Sequence, residues 1–553
     1  MKTDYTALGA AAMDRLRRTT AQARQVQRQE LENILSRNSK TEYGLRFGFS
    51  HIRCLEAYQD QVPLSRYEAY QPYVERLLAG ETHLLTQAAP VYYAITSGST
   101  GVPKYVPVTE EDMTIHYRDI YGGVFGMVRE YYPGTDPAVL FGKIFQVGEF
   151  AKTCLPGGQM CGVRSASLYQ WLDREGGFDA SDYCVPKEVL FPAKVEDLTY
   201  VKARFALAER GITAIHSVFL HRLVGMLDYI RVHWSLLLRD MERGTVDESV
   251  PLGEYWRQRL LRWLPPDPVR AAQLRRLRVD AEPEDMVRRL WPEIRYLVGI
   301  GGRAFPVYTR AMEQYAGDVP IHHFIYGASE GFLSIANGVN RPDAYILLPE
   351  AGIFEFLPAA HPEERPLSIG EVERGGRYEL IFTNHSGLYR YRMQDVLEVV
   401  DFFGQSPVVR FCYRINQALN VADEKLNTEQ LGEALALFQQ RAGIADTAFC
   451  VQEDFSVRPG RYLIYAETPP VKNAAALMDR CLSEASLGYG GCRSMGDVGA
   501  PLVRFLPEGS FRRYEEHLAR QGKSLDQYKP VRILDSEEKR RFFASEAERG
   551  EAT

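Results

Sequence analysis

Several features that would mark a specialised class of protein are missing from this sequence. No run of 18 residues is apolar throughout without a charge, so no membrane-spanning helix is predicted. The first 18 residues carry no apolar segment ahead of a cleavage site, and no export signal is predicted. Lysine and arginine number 66 against 72 aspartate and glutamate, a net charge of −6, so no overall positive field is available to hold nucleic acid.

Paired or clustered cysteines are also missing. The eight cysteines are scattered, with no CxxC pair and no Cys/His cluster at zinc-ligand spacing. We therefore expect reduced, mostly buried thiols and a cytoplasmic protein, with neither a membrane nor a nucleic acid as partner.

What remains is the composition of an ordinary globular protein, with 553 residues of which 45% are hydrophobic and 25% charged. A long helix is expected over 7–37 and another over 67–78, with a break or restart at Pro72. Strands are expected at 91–95, 105–108, 213–218, 294–298 and 319–326, and helices at 196–210, 218–243 and 306–315. This alternation predicts an α/β fold, with a domain boundary near residue 416.

One loop has the composition of an anion-binding segment. Glycines let backbone N–H groups turn toward a ligand, hydroxyls donate to phosphate oxygens, and a lysine supplies a positive charge. The loop matches neither GxxxxGK[ST] nor GxGxxG, and a polar hairpin loop is the alternative interpretation. Its residues are Thr96, Ser97, Gly98, Ser99, Thr100, Gly101, Val102, Pro103 and Lys104.

A second segment matches the GxSxG pattern at Gly327, Ser329 and Gly331. Asp395 and His517 follow in the chain order that α/β-hydrolases use, so a serine hydrolase with Ser329 as nucleophile is an alternative function. A nucleophile elbow requires a helix directly after the serine, whereas residues 332–336 favour an extended chain.

A third segment, 387–395, alternates arginines on a predicted strand and ends at Asp395. In isolation, surface ion pairing is the better interpretation of the arginines. A carboxylate at a strand end can also bind the vicinal hydroxyls of a ribose. Arg414, Lys425 and Lys529 follow downstream.

Taken in order, the Ser/Thr/Gly loop, the Tyr326-x-x-Ser329-Glu330 segment and the Tyr391-Arg392-x-x-Asp395 segment resemble the adenylate-forming superfamily. The sequence is most similar to its GH3 family of acyl acid amido synthetases, and the likeness runs nearly end to end. It includes residues 63–68, 72–76, 424–425 and 527–529. The loop resembles the general superfamily pattern more than the plant GH3 version, which suggests a bacterial-type member, and Gln394 replaces a usual glycine.

The resemblance implies a large N-terminal body of αβ layers over 1–415, holding the ATP and acyl-acid sites. It also implies a smaller, mobile C-terminal α+β domain over 416–553 that swings over the site. The expected reaction activates a carboxylic acid as acyl-AMP and then transfers the acyl group to an amine, with an amino acid as the expected acceptor. Two further functions stay open, namely transfer of the acyl group to CoA or another nucleophile, and nucleotide binding without catalysis.

The resemblance also implies roles for single residues. The loop from Thr96 to Lys104 would hold the ATP phosphates, Tyr326 would lie beside the adenine with Ser329 in the same ATP site, and Glu330 would bind Mg²⁺. Asp395 would accept from the ribose hydroxyls, with Arg414 on the ribose side. Lys425 and Lys529 are the two candidates for the mobile lysine that reaches the α-phosphate, and the sequence does not decide between them.

The acyl pocket is expected where the family usually lines it. An aromatic residue at helical spacing is more often part of a core, and that interpretation stays open for each position. The positions are Tyr117, Tyr121, Val163, Tyr169 and Phe219, and no segment identifies the acid or the amine.

Overall fold

The computed structural model describes residues 3–96, 104–193, 197–302, 306–415, 419, 421, 426–444, 447–457, 460–495, 498–522 and 532–551. The chain divides into two compact units. Unit 1 comprises Met1–Gly302, Tyr308–Met393 and Glu398–Arg410, and unit 2 comprises Arg303–Val307, Gln394–Leu397 and Phe411–Thr553. A boundary between residues 415 and 416 stays a prediction.

Helices and strands alternate along much of the described chain. The helices are α1 (Tyr5–Ala21), α2 (Ala23–Asn38), α3 (Glu42–Arg46), α4 (Leu55–Gln61), α5 (Tyr67–Leu78), α6 (Glu110–Ile115), α7 (Gly122–Tyr131), α8 (Pro137–Leu140), α9 (Arg164–Arg174), α10 (Lys187–Leu190), α11 (Thr199–Ala208), α12 (Leu220–Val232), α13 (Trp234–Arg243), α14 (Glu254–Trp263), α15 (Pro268–Arg275), α16 (Met286–Leu290), α17 (Pro306–Ala316), α18 (Thr428–Ala442), α19 (Ala474–Ala485), α20 (Leu487–Met495), α21 (Ser510–Arg520) and α22 (Glu537–Glu551), with 3₁₀ turns at Phe49–His51 and Ala180–Asp182 and a π-helix at His116–Tyr121. The strands are β1 (Tyr92–Thr96), β2 (Lys104–Val108), β3 (Lys143–Gln146), β4 (Thr153–Cys154), β5 (Met160–Gly162), β6 (Ile212–Phe219), β7 (Tyr296–Ile300), β8 (Ile321–His322), β9 (Gly327–Ala328), β10 (Gly331–Phe332), β11 (Ser334–Ala336), β12 (Tyr345–Leu347), β13 (Ile353–Pro358), β14 (Leu367–Ser368), β15 (Arg377–Thr383), β16 (Tyr391–Phe403), β17 (Ser406–Arg414), β18 (Phe449–Asp454), β19 (Arg461–Ala466) and β20 (Leu502–Phe505).

The N-terminal helix expected over 7–37 is two helices. It breaks at Gln22, whose φ of −128° and ψ of 34° are not helical. Just before the break, the Thr20 hydroxyl donates to the Leu16 main-chain oxygen at 2.6 Å. Such back-bonding by threonine bends helices, and the single-helix prediction is wrong for this reason.

Helix α5 has the predicted bounds, but it continues through Pro72. The predicted break is therefore wrong. Proline removes one helical hydrogen bond. The helix buries the side chains of Tyr67, Tyr70, Tyr73, Val74 and Leu77, which offsets that loss.

A parallel sheet in the order β3-β6-β7-β8 confirms the α/β prediction. Six of the eight residues of β6 are buried, as expected for a strand covered on both faces. The segment 319–326 contributes only Ile321–His322 to this sheet, which is shorter than predicted.

Two further sheets involve the segments singled out in the sequence. The first has the order β2-β1-β5-β4, in which β1 and β2 are antiparallel and flank residues 97–103. The second has seven strands in the order β11-β12-β17-β16-β15-β13-β14.

Unit 2 has its own sheet and hydrophobic core. Strands β18 and β19 form an antiparallel hairpin and β20 adds in parallel to β19. A core cluster joins this sheet to α18 and α19 through residues such as Phe438, Ile464 and Met478. Helix α18 begins with a capping box in which Asn427 and Gln430 exchange side-chain to backbone hydrogen bonds.

Among the described helices, none is both long and apolar enough to cross a membrane. All eight cysteines are free, as expected, but four rather than most of them are buried.

A buried ion pair holds the segment 387–395 in place. Arg390 Nη2 lies 2.9 Å from Glu355 Oε1, and the two side chains are 4% and 1% exposed. The Nη1 group of Arg390 also donates to two main-chain oxygens, each at 2.7 Å. Arg392 pairs with Glu379, which is 2% exposed. The surface ion pairing inferred for these arginines is therefore wrong, because both carboxylates are buried.

We expect Glu355→Gln to lower the free energy of unfolding by about 3 to 5 kcal/mol, because it leaves the buried Arg390 charge without a counter-ion. Urea denaturation followed by tryptophan fluorescence measures this, since all five tryptophans lie between residues 171 and 291 of unit 1. The matched control is Glu242→Gln, which removes an exposed partner 2.8 Å from Arg275 and should change stability by less than about 1 kcal/mol. Equal losses in the two variants would contradict the account of Arg390.

Candidate active site

Ser329 and Glu330 form the turn of a very short β-hairpin. Strand β9 pairs with β10 so that Gly331 faces Ala328 and Phe332 faces Gly327. The chain then continues into strand β11, as expected, and not into the helix that a nucleophile elbow requires. The two other hydrolase candidates are engaged elsewhere: Asp395 pairs with Arg414, and His517 lies 3.2 Å from Glu538.

Glu330 is a mostly buried residue whose carboxylate has no counter-charge among the described residues. Glu330 is 8% exposed, and within the described part of the chain its carboxylate makes no ion pair or hydrogen bond. Its main-chain oxygen accepts a hydrogen bond from Asn384 Nδ2 at 2.7 Å. Neither carboxylate oxygen is among the fully buried, unpartnered atoms of the described residues, so both can be reached by a ligand, and an accessible, unpaired carboxylate is suited to a metal ion.

Tyr326 leads into the same hairpin and is 9% exposed. The Ser334 hydroxyl accepts from its N–H and donates to its carbonyl oxygen, both at 2.8 Å. These two bonds hold the backbone of Tyr326 against β11.

Lys104 lies at the start of β2, directly after the anion-binding loop. Its Nζ is 3.4 Å from Glu68 Oε1 and 5.1 Å from the centre of the Tyr67 ring. The Tyr67 hydroxyl also accepts from the Tyr105 N–H at 2.9 Å and donates to the Tyr105 carbonyl at 3.2 Å. Because β2 is at the edge of its sheet, Tyr67 takes the place of a neighbouring strand there.

Most of the anion-binding loop and both mobile-lysine candidates lie outside the described residues. These are Ser97, Gly98, Ser99, Thr100, Gly101, Lys425 and Lys529. Thr96 ends strand β1, and only its backbone is described.

Thr109 precedes α6, but its hydroxyl does not bond to the helix. It donates instead to the His385 carbonyl at 3.2 Å, while the Thr109 N–H donates to Ser386 Oγ at 3.0 Å. The turn at 384–388 therefore binds the hydroxyl that would otherwise be available to cap the helix.

Asp395 and Arg414 are brought together on the neighbouring strands β16 and β17. Arg414 Nε lies 3.5 Å from Asp395 Oδ1, and the carboxylate side chain is 8% exposed. Gln394, which precedes Asp395, has a φ of +61°. The position therefore uses the left-handed conformation that glycine favours, although a glutamine occupies it.

Three of the five acyl-pocket candidates lie in one aromatic cluster. Tyr121 stacks with Tyr117 at a ring separation of 5.9 Å and meets Tyr169 edge-on at 5.9 Å. Tyr169 also stacks on Phe150 at 3.8 Å. Burial raises the pKa of Tyr121 to about 12, so its phenol is neutral at physiological pH.

The other two candidates lie at element ends. Val163 precedes α9 and its carbonyl accepts from the Tyr92 hydroxyl at 3.1 Å, whereas Phe219 is the last residue of β6. The use of all five as a pocket stays a prediction.

Sequence reasoning missed the residues that surround the Glu330 hairpin, namely Asn384, Asp112 and Arg164. Residues 384–387 have the sequence Asn-His-Ser-Gly, and such an Asn-x-Ser-Gly run is typical of a turn held by its asparagine. That signal could have identified the turn. The contact of the turn with a residue 54 positions away could not be read from it.

The fold is that of adenylate-forming ligases. The structure matches the solved "AtGH3.15 acyl acid amido synthetase in complex with 2,4-DB" with a TM-score of 0.84 at 24% identity, covering 99% of this chain and 97% of that one. It also matches a 2-hydroxyisobutyryl-CoA ligase in the postadenylation state with a TM-score of 0.52 at 13% identity, covering 95% and 91%.

The sequence places the chain more narrowly. It matches the GH3 family N-terminal domain over residues 12–321, the central domain over 345–414 and the C-terminal domain over 429–538. The chain belongs to the GH3 family, and it is a ligase of the acyl acid amido synthetase class.

Curated relatives align over nearly the whole chain. A jasmonoyl–L-amino acid synthetase, GH3.5 of Oryza sativa subsp. japonica, is 28% identical over 93% of both chains. A probable indole-3-acetic acid-amido synthetase, GH3.1 of Arabidopsis thaliana, is 27% identical over 95% of this chain and 92% of its own. These relatives are plant enzymes and do not support the expected bacterial type.

The φ of Gln394 gives a test of the backbone beside Asp395. Gln394→Gly should leave the free energy of unfolding within about 1 kcal/mol of the original, because relief of the left-handed strain offsets the flexibility of glycine. Gln394→Val should lower it by about 1 to 3 kcal/mol, because a β-branched residue is strained at this φ.

The matched control is Asp401→Val, at an exposed position of the same strand with an ordinary φ, which should change stability by less than about 0.5 kcal/mol. Urea titration followed by circular dichroism measures all three variants. If valine is tolerated equally well at 394 and 401, the strained conformation of Gln394 is wrong.

Proposed function

We propose that this protein couples a carboxylic acid to the amine of an amino acid, using ATP and passing through an acyl-AMP. Membership of the GH3 family supports the reaction, as do the names of two relatives, of which one specifies an acid and an amino acid and the other an acid and an amide product. The structural observation that carries the proposal is the buried, unpaired Glu330 in a turn that directly follows Tyr326.

The first half-reaction makes the acid reactive. One oxygen of the carboxylate attacks the α-phosphorus of ATP, and pyrophosphate leaves along the opposite direction. Negative charge spreads over the phosphates in this displacement, and fixed positive groups and N–H donors stabilise it. Thr96, Ser97, Gly98, Ser99, Thr100, Gly101 and Lys104 are the residues we assign to the phosphates.

The second half-reaction forms the amide. The amine attacks the carbonyl carbon of the acyl-AMP, the bond from that carbon to the bridging oxygen breaks, and AMP leaves with the oxygen. The amine must lose a proton in this step, and holding it close to the carbonyl accounts for much of the acceleration.

Glu330 is the residue we assign to Mg²⁺. The ion binds proteins through one or two carboxylates together with phosphate oxygens, and the unpaired, accessible Glu330 carboxylate fits that role. When bound, Mg²⁺ neutralises developing charge on the phosphates. The protein's own contribution is to hold the carboxylate in a place where no described cation competes for it.

Asp395 and Arg414 are the residues we assign to the ribose. A carboxylate can accept hydrogen bonds from both vicinal hydroxyls, and its pairing with Arg414 at 3.5 Å keeps it oriented. Tyr326 and Ser329 are assigned to the adenine side of the same nucleotide.

The acid and the movement of the C-terminal domain belong to the same proposal. Tyr117, Tyr121, Val163, Tyr169 and Phe219 are assigned to the acyl group. Residues 416–553 are assigned to a domain that moves between the half-reactions, as lids do in other enzymes.

The loop sequence TSGSTGVPK is our basis for a bacterial-type member, and a cytoplasmic location is part of the proposal.

Two assays test the proposed reaction together. Exchange of labelled pyrophosphate into ATP over a panel of carboxylic acids measures adenylation, and mass spectrometry of products made with pooled amino acids measures conjugation. We expect acid-dependent exchange and a product with the mass of an amide. A thioester formed with CoA, or no acid-dependent exchange with any acid, would contradict the proposal.

Glu330→Gln should reduce acid-dependent exchange at least about a hundredfold, because the substitution removes the charge that holds the cation while keeping the size of the side chain. Thermal unfolding should show that the fold is intact. The neighbouring control Ser329→Ala should retain substantial exchange, and Ser329 should not react with fluorophosphonates. Near-normal exchange by Glu330→Gln would show that the metal assignment is wrong.

Lys529→Ala should severely reduce acyl-AMP formation but leave transfer from preformed acyl-AMP to the amine near normal, because a lysine at the α-phosphate is needed only in adenylation. Lys425→Ala is the matched comparison, since Lys425 is the rival candidate. Rapid-quench assays of the two half-reactions measure both variants. The assignment to Lys529 fails if its loss spares adenylation, or if both half-reactions fall together in a folded protein.

A further inference from the structure

The hairpin that carries Glu330 is too short to be stable by itself. Its ladder consists of two residue pairs, Gly331 with Ala328 and Phe332 with Gly327. Even a complete isolated hairpin is only marginally stable in water. The position of the Glu330 carboxylate therefore depends on contacts from outside the hairpin.

Asn384 makes the polar contact to the turn itself. Its Nδ2 donates to the main-chain oxygen of Glu330 at 2.7 Å. Its Oδ1 accepts from the N–H groups of Ser386 and Leu388, both at 2.9 Å. Asn384 is 2% exposed. One buried amide thus fixes its own turn and ties that turn to Glu330.

A second line of contacts reaches the hairpin through Phe332. The Arg164 guanidinium lies 4.8 Å from the centre of the Phe332 ring, and the His116 ring packs edge-on against the same ring at 4.2 Å. Burial and the nearby Arg164 hold the pKa of His116 well below its usual range, so this imidazole is neutral.

The two lines meet at Asp112. Arg164 Nη2 donates to Asp112 Oδ1 at 2.9 Å, and the Ser386 hydroxyl donates to Asp112 Oδ2 at 3.2 Å. Ser386 belongs to the turn that Asn384 closes. These contacts therefore form a closed network, which runs from Glu330 through Asn384 and Asp112 back to the hairpin.

The positive and negative side chains within this closed network are paired with each other. Arg164 is paired with Asp112, and their side chains are 2% and 13% exposed. Asn384 contributes only a neutral amide, and it bonds the main chain of Glu330 rather than the carboxylate. The closed network thus holds Glu330 in place without neutralising its carboxylate, as a ligand for a divalent cation requires.

We infer that Asn384 is a positioning residue, whose hydrogen bond to the Glu330 main chain fixes the carboxylate where it can bind a divalent cation carried by ATP. This inference depends on the proposed metal role of Glu330. Loss of a partner that orients a metal ligand typically lowers metal affinity by tenfold to a hundredfold.

Asn384→Asp removes the donor of this contact while nearly keeping the shape of the side chain, and the uncharged Asn384→Ser separates the loss of the donor from the added charge. Aspartate keeps the size of the side chain and an oxygen that accepts from Ser386 and Leu388, but it replaces the donor that faces the Glu330 carbonyl. The readout is Mn²⁺ affinity in the presence of a non-hydrolysable ATP analogue, measured from the electron paramagnetic resonance signal of free Mn²⁺. We expect affinity to fall at least about tenfold.

Gln27→Glu is the matched control. Gln27 is a buried amide whose Nε2 donates to the main-chain oxygens of Pro349 and Gly352 and whose Oε1 accepts from the Phe354 N–H. The substitution makes the same chemical change without touching the hairpin. It should leave Mn²⁺ affinity unchanged, whatever its effect on thermal stability.

Asn384→Ser decides the question if Asn384→Asp does not fold. Serine is uncharged and too short to keep the bond to Glu330, so it should also weaken Mn²⁺ binding at least about tenfold. Folded variants at 384 that bind Mn²⁺ as tightly as the original protein would overturn the inference while leaving the metal role of Glu330 intact. Mn²⁺ binding that is unaffected by Glu330→Gln would instead overturn the metal role, and the inference with it.

Discussion

The buried ion pair between Arg390 and Glu355 is the constraint on which much of the site depends. It anchors the chain segment that runs from the turn at 384–388 to the strand that carries Asp395. That turn contacts the Glu330 hairpin. A lone buried charge is strongly destabilising, so neither partner can change without the other. This one pair thus fixes the segment that links the turn beside Glu330 to Asp395 along the chain.

The charged residues of the motif segments serve two purposes that sequence alone does not separate. Arg390 and Arg392 have buried carboxylate partners and stabilise the fold. Glu330 is buried as well, but no described residue neutralises it. Its carboxylate oxygens stay accessible in an otherwise buried turn, which suits a ligand that completes the site. This difference is the physical reason for assigning Glu330 to chemistry and the arginines to stability.

The sequence predicted what depends on local pattern. The parallel sheet was predictable because strands such as β6 are apolar along nearly their whole length, and α5 was predictable from its periodic tyrosines. The break at Gln22, the continuation through Pro72 and the burial of Arg390 were not, because each is decided by competing hydrogen bonds or by distant packing. Glu355 is 35 residues from Arg390, and Asn384 is 54 from Glu330. The site residues themselves were proposed from resemblance to a family, and their roles still rest on it.

The central claim is that a carboxylate oxygen attacks the α-phosphorus of ATP and is later carried away by AMP. The most direct test uses an acid labelled with ¹⁸O in both carboxylate oxygens, in a complete reaction with ATP, Mg²⁺ and the amino acid. Mass spectrometry should find one ¹⁸O in AMP, one in the amide, and none in pyrophosphate. Label in inorganic phosphate with release of ADP, or AMP without label, would contradict acyl-AMP formation.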